Sequence, residues 1–181
     1  MGKDFEFRIR SLQRSDSIAE LTALIRSAYA PHAEKGLRFV GTYQDEETTS
    51  QRLAAGHGLV AESEKGLVGT VVLRPPQPTS SAALYRDPGV WSIGQLAVLP
   101  DWKGRGLGRA LHDAAVELAR CSGARAVALD TAAPAKALIT LYERWGYGIV
   151  GTADWRPHTN YDSVLMLREL QPAPEFGSGA A

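Results

Sequence analysis

Three glycines in "KGRGLGRA", Gly104, Gly106 and Gly108, alternate with the side chains of Lys103, Arg105, Leu107 and Arg109 at the point where an apolar run gives way to an amphipathic one. Glycines let a backbone approach a ligand closely, and the first amides of a helix have no intrahelical acceptor. With the positive end of the helix dipole added, such a turn suits an anion, although a tight strand-to-helix connection needs glycines too. Further on, Tyr142 in "LYERWGY" offers a phenol. Its ordinary pKa is about 10, so it is protonated at neutral pH and can donate a proton. With Leu138, Leu141 and Trp145 at helical spacing, Tyr142 also suits a core aromatic.

Neither familiar phosphate motif fits. The dinucleotide fingerprint G-x-G-x-x-G, begun at Gly104, would need glycine where Arg109 stands, and no P-loop pattern occurs. Asp130 could imitate a ribose-binding acid, but the chain after it is too short for the rest of a dinucleotide domain. The one cysteine, Cys121, excludes a cysteine-based metal cluster and an internal disulfide. Placed at a helix end, it is expected to be a small packed thiol.

The elements that must position these residues follow from periodicity. Strands are expected at 5–12, 59–63, 67–74, 90–98, 125–131, 147–153 and 163–170, with "EKG" turning the hairpin between the second and third. Helices are expected at 17–30, 45–55, 106–122 and 135–145. Ser17 and Glu20 form a capping box for the first, and Pro31 is expected to stop it. The proline-rich segment 75–89 reads as a surface loop, and Gly94 marks a bulge in the strand that leads to the glycine turn. The order β-α-α-β-β-β-α-β-α-β-β implies a mixed α/β sheet with helices on its faces.

The 181 residues carry 20 basic and 20 acidic side chains and are 44% apolar, enough for one domain with a sizeable core. We expect that domain at 5–170 and a disordered tail at 171–181, "QPAPEFGSGAA". The balanced charge speaks against a nucleic-acid partner. No apolar run is long enough to span a membrane and no signal peptide is evident, so a cytoplasmic location is expected. A homodimer would be the commonest assembly.

"LAVLPDWKGRGLGRAL" (96–111), followed about thirty residues later by "LYERWGY" (141–147), closely resembles the GNAT superfamily of acyl-CoA-dependent N-acyltransferases. The family pattern is a hydrophobic strand, a short turn, Q/R-x-x-G-x-G/A, a helix, and later an LY-x-x-x-GF-like segment. The resemblance implies a mostly antiparallel mixed sheet of about seven strands flanked by about four helices, with a central splayed parallel strand pair. It also implies acetyl-CoA as acyl donor, no metal, and a primary amine of a small molecule or peptide as acceptor, attacked directly in a ternary complex.

Carried onto this chain, the resemblance assigns the donor's diphosphate to the segment Lys103, Gly104, Arg105, Gly106, Leu107, Gly108, Arg109 and Ala110. The pantetheine arm falls to the strand end Leu96, Ala97 and Val98, with the Val98 amide polarising the thioester carbonyl. Tyr142 becomes the proton donor to the departing sulfur. Two departures stand out: Lys103 replaces the family's Gln or Arg, and Ala135 stands where many members have Asn. The strand 90–98 also lacks the carboxylate that members often use, and Gln95 cannot act as a base. The candidates left for that role are Glu34, Glu62 and His158. These departures keep a second reading open, a non-catalytic acyl-CoA-binding regulatory module. Acceptor selection in the family comes from segments that here mix aromatics with Glu34, Asp45, Glu46, Asp154 and Asp162, as a pocket for a cationic amine would.

Overall fold

Seven strands form one sheet in the order β1-β2-β3-β4-β5-β7-β6. They are β1 (Arg8–Ser11), β2 (His57–Ser63), β3 (Gly66–Arg74), β4 (Val90–Val98), β5 (Ala126–Ala132), β6 (Gly148–Asp154) and β7 (Asp162–Glu169). All neighbours are antiparallel except β4 and β5. The structure, a computed structural model, describes residues 6–171. Phe5 of the expected first strand, and the expected tail beyond Gln171, lie outside the described residues.

Helices cover both faces. On one, α1 (Ile18–Glu34) and α2 (Glu46–Ala54) bury Leu21, Leu24, Ile25 and Leu53 against Val60, Val72 and Ala97. On the other, α4 (Leu107–Cys121) buries Leu107, Leu111, Ala115 and Ala119 against Val71, Leu73 and Val127, and α5 (Lys136–Arg144) adds Ile139. These apolar positions recur at the helical period that the sequence shows.

Two expectations about helices need correction. α1 does not stop at Pro31 but runs through it to Glu34. A proline in the last turn removes only one amide from the ladder, and the stop is made by Gly36, whose φ of 74° places it in the left-handed region. The segment 75–89 is not all loop: Ala83–Arg86 forms a single turn, α3, making five α-helices among the described residues. Tyr85, 6% exposed, anchors it against Val90, Ala126 and Leu165. The capping box is half made. Ser17 accepts the Glu20 amide, while the Glu20 carboxylate reaches β3 and accepts the Leu67 amide at 3.0 Å.

The centre of the sheet is divided. β4 pairs with β5 only over Val90, Trp91 and Ser92, opposite Ala126, Val127 and Ala128, and the two strands then part. On its other side β4 bulges: Thr70 faces Ala97 and Val72 faces Gly94, so Val71 alone opposes Gln95 and Leu96. The residue that absorbs the distortion is Gln95, at φ 54°, rather than the Gly94 expected from sequence. Because side chains alternate with period two, the extra residue resets the faces. Ile93 and Val98, five positions apart, therefore both enter the α4-side core.

Candidate active site

A cavity of about 890 Å³ opens where β4 and β5 part, bordered by the α4 N-terminus on one side and by α1, β3 and the β6–β7 connection on the other. The turn that precedes α4 places Gly104 at φ 74° and Gly106 at φ 80°. A Cβ added at either glycine would meet nothing, so the turn presents an open backbone surface. Gly106 is the N-cap and offers no side chain to the helix amides. The first intrahelical bond runs from the Ala110 amide to the Gly106 carbonyl at 2.9 Å, which spends Ala110 and leaves the amides of Leu107, Gly108 and Arg109 without helical acceptors. The Leu107 side chain is fully buried in the core, and neither Leu107 nor Ala110 lines the cavity.

The expected cations are less available than their spacing suggests. Lys103 lines the cavity, but its Nζ donates to the Ala28 carbonyl of α1 at 2.9 Å, and burial lowers its pKa. Arg105 does not line the cavity and donates to the Asp101 carbonyl at 3.0 Å. Arg109 does line it, with Nε bound to both carboxylate oxygens of Asp113 at 2.8 Å and its guanidinium 5.6 Å from the Trp145 ring centre. An anion here would be held chiefly by backbone amides, with Arg109 nearest as a charge.

Leu96, Ala97 and Val98 all line the cavity. The Leu99 amide donates to Val68 in β3, so alternation along an antiparallel strand turns the Val98 N–H and C=O to the opposite edge, the one that β5 has left. A strand edge without its neighbour is an extended template for an amide-bearing arm, and the uncapped helix amides lie at the end of the same strand. The donor groups present therefore fit an acyl-CoA.

Tyr142 lines the same cavity, with its ring edge-on to Trp145 at 5.7 Å and to Tyr147 at 6.0 Å. Burial raises the pKa of its phenol. The hydroxyl therefore stays protonated at neutral pH and is a hydrogen-bond donor first. Ala135, in the position where the family often has Asn, is the N-cap of α5 and makes no side-chain cap.

The other half of the cavity carries aromatics of the expected acceptor segments, Tyr29, Phe39, Trp155 and Tyr161, together with polar groups not foreseen from the sequence. Arg52 and Arg74 both line it. Arg52 donates from Nη1 to Gln44 Oε1 at 2.6 Å, and Gln44 in turn donates from Nε2 to Thr49 at 2.7 Å and to Gln95 Oε1 at 3.3 Å. Burial lowers the pKa of both arginines, although a guanidinium remains charged. Asp130 is the one carboxylate on the cavity wall among the described residues. It accepts from the Tyr85 hydroxyl at 2.6 Å and from Trp155 Nε1 at 3.1 Å. Arg74 closes the apolar run "VVLR", and a cation ending a buried strand was the only sequence signal for these polar groups.

Of the candidate bases, only His158 lines the cavity. Glu62 sits at the β1–β2 pair, bound by Arg8 at 3.1 Å and Arg10 at 3.1 Å, which hold its carboxyl below its ordinary pKa. Glu34 is the last residue of α1 and does not line the cavity. The expected acidic acceptor pocket is absent from the wall too. Asp45 caps α2 through the Thr48 amide, and Asp154 and Asp162 both pair with Arg156. Cys121 is exposed rather than packed, since it ends α4 on the face shared with Glu117, to which its Sγ donates at 3.3 Å.

Comparison with known proteins agrees with this geometry. The acetyltransferase (GNAT) family model matches residues 19–147. A mycothiol acetyltransferase of Propionibacterium freudenreichii is 30% identical over 140 residues, which are 77% of this chain and 42% of that protein, so the chain spans less than half of that relative. Among solved structures, the ribosomal-protein-S18-alanine N-acetyltransferase of Escherichia coli superposes with a TM-score of 0.70 at 18% identity, over 94% of this chain and 98% of that one. A GNAT family acetyltransferase of Elizabethkingia anophelis, solved with acetyl-CoA bound, gives 0.67 at 18% identity, over 93% of this chain and 100% of that one. Both share the fold. With a family model spanning most of the sheet, and with the divided central strands and uncapped α4 turn that the motif implies, the chain belongs to the GNAT acetyltransferase family.

Proposed function

We propose that this protein transfers an acetyl group from acetyl-CoA to the primary amine of a small molecule by direct attack in a ternary complex. One observation supports this reading above the rest: the gap between β4 and β5, the open amides of α4 and the Tyr142 hydroxyl all border a single cavity. When bound, acetyl-CoA supplies an activated thioester. The amides of Leu107, Gly108 and Arg109 hold its diphosphate, and the outward edge of Leu96 to Val98 pairs with its amide-bearing arm. The Val98 N–H donates to the thioester carbonyl, where negative charge grows as nitrogen attacks.

An ammonium cannot attack, so one proton leaves for solvent first. Asp130, steadied by Tyr85 and Trp155, holds the amine in the cavity while that happens. The new C–N bond forms as the C–S bond breaks; Tyr142 donates its hydroxyl proton to the leaving sulfur, and the second proton that nitrogen loses as the amide forms passes through water and restores the Tyr142 hydroxyl. No acyl relay through the protein is needed. Cys121 lies at the opposite end of α4 from the glycine turn.

The test is thiol release from acetyl-CoA with a panel of amines, covering amino acids, polyamines, aminoglycosides and peptide N-termini, for the wild type and Tyr142→Phe. Turnover with at least one amine, slowed in the variant, is expected. Tight acetyl-CoA binding without turnover of any amine would replace the enzyme reading with an acyl-CoA-binding regulatory module.

A further inference from the structure

The unforeseen polar wall of the cavity is built to receive an oxyanion. Among the described residues, three of the buried side-chain atoms that lack a hydrogen-bond partner, Arg74 Nε, Gln95 Nε2 and Thr131 Oγ1, belong to residues that line this cavity. Gln95 and Thr131 are each 3% exposed. All three atoms can donate, and a buried donor left unpaired is costly enough that native proteins rarely keep one without a use.

Charge points the same way. Arg52 and Arg74 each lack an ion-pair partner among the described residues, and burial, followed by the neighbouring charge of Arg74, lowers the pKa of Arg52. Gln44 joins Arg52 to Gln95: it accepts from the guanidinium at 2.6 Å and donates to Gln95 Oε1 at 3.3 Å, which leaves the Gln95 Nε2 donors free. Arg74 reaches the same place from β3, lying against Gly94, the residue before Gln95. Two half-buried cations thus face one carboxylate, Asp130, and a guanidinium drawn out of solvent calls for a counter-charge. A polycationic acceptor would add a further positive charge to this wall.

Resting on the acetyl-transfer reading above, we propose that the acceptor is a small amine that also carries a carboxylate, as an amino acid does. The carboxylate is received by Arg74, with Arg52 and Gln95 Nε2 beside it, and the ammonium is turned to Asp130. Arginine suits this role because its planar fork matches both oxygens of a carboxylate.

The experiment compares each L-amino acid with its carboxamide as acceptor at saturating acetyl-CoA, in the wild type, Arg74→Met and Arg74→Lys. The best acid is expected to exceed its amide in kcat/KM by at least about tenfold. Arg74→Met should bring that ratio close to one, and Arg74→Lys should retain part of it. Acetyl-CoA affinity, measured separately, reports whether each variant is folded; if Arg74→Met is not, the lysine variant carries the test. Carboxamides or polyamines used as well as the acids by the wild type would overturn the proposal. If no amine turns over, binding of N-acetyl amino acids to the CoA-saturated protein decides: binding weakened in Arg74→Lys upholds the carboxylate site while the enzyme reading falls, and no binding overturns both.

Discussion

The guanidinium of Arg74 lies against Gly94 so closely that a methyl group on the glycine would stand 3.3 Å from Nη1 and 3.4 Å from Nη2. Gly94 has no left-handed φ, so its role is space rather than backbone freedom. Gly94→Ala should therefore displace the tip of a flexible side chain by a few tenths of an ångström. We expect less than about 1 kcal/mol of lost stability by denaturant titration, because the side chain can give. Acceptor KM should rise while acetyl-CoA affinity holds, since Arg74 borders the cavity from β3 and the glycine turn borders it from the α4 end. A loss of acetyl-CoA binding equal to the loss of acceptor binding would argue against that separation.

Tyr142→Phe removes the hydroxyl and leaves the ring contacts with Trp145 and Tyr147 in place. Steady-state kinetics should show kcat lower by about 10²-fold, the lower range for a positioned proton donor. The dissociation constant for acetyl-CoA should change little. Because burial raises the tyrosine pKa, the wild-type rate should show no alkaline fall from Tyr142 ionisation at or below its ordinary value of 10.0.

Gly106 and Gly108 should respond in opposite directions. Gly106 has φ 80°, so Gly106→Ala forces a side chain into the left-handed region and should cost about 1–2 kcal/mol of stability. Gly108 lies within α4, and its added Cβ would make an ordinary contact with Val98 Cγ2 at 3.7 Å. Gly108→Ala should then stabilise the fold by up to about 1 kcal/mol through helix propensity. Both variants should weaken acetyl-CoA binding, since both glycines line the cavity. Thermal denaturation beside calorimetric titration separates the two effects.

His112 makes stability depend on pH near neutrality. It is fully buried in α4, between the Asp113 carboxylate at 2.9 Å and the Tyr147 hydroxyl at 2.9 Å, and burial outweighs the acid to lower its pKa from 6.5. The unfolded chain therefore binds the proton more readily, and stability falls as pH drops below 6.5 toward the folded value. Denaturation at pH 7.5 and at about pH 5.5 should show the loss, near 1 kcal/mol per pKa unit of difference. His112→Gln should flatten the slope across that window whatever its own stability. An unchanged slope would assign the effect to His32, whose pKa burial also lowers.

Much of the fold can be read along the chain because its determinants are local. The periodic apolar face of α4, the glycines that open and close it, and the short buried run of β5 each arise from contacts within a few residues, and they lie where expected. Tyr142 and the glycine turn were visible for the same reason, since motif residues keep fixed separations. Pro31 misled because a proline signals a lost hydrogen bond, whereas neighbours decide whether the helix tolerates that loss.

By itself, then, the sequence determined the elements, their order and a backbone anion cradle at the head of α4, because propensity, capping and periodicity act within one or two turns. The tertiary structure alone decided where β4 leaves β5, which residue absorbs the bulge, and which cations stay free for a ligand. Lys103 is tied to α1 across 75 positions, while Arg52 and Arg74 meet beside Gln95 through Gln44 and Gly94. These are long-range pairings of polar groups under burial, and no short stretch of chain encodes its partner's position.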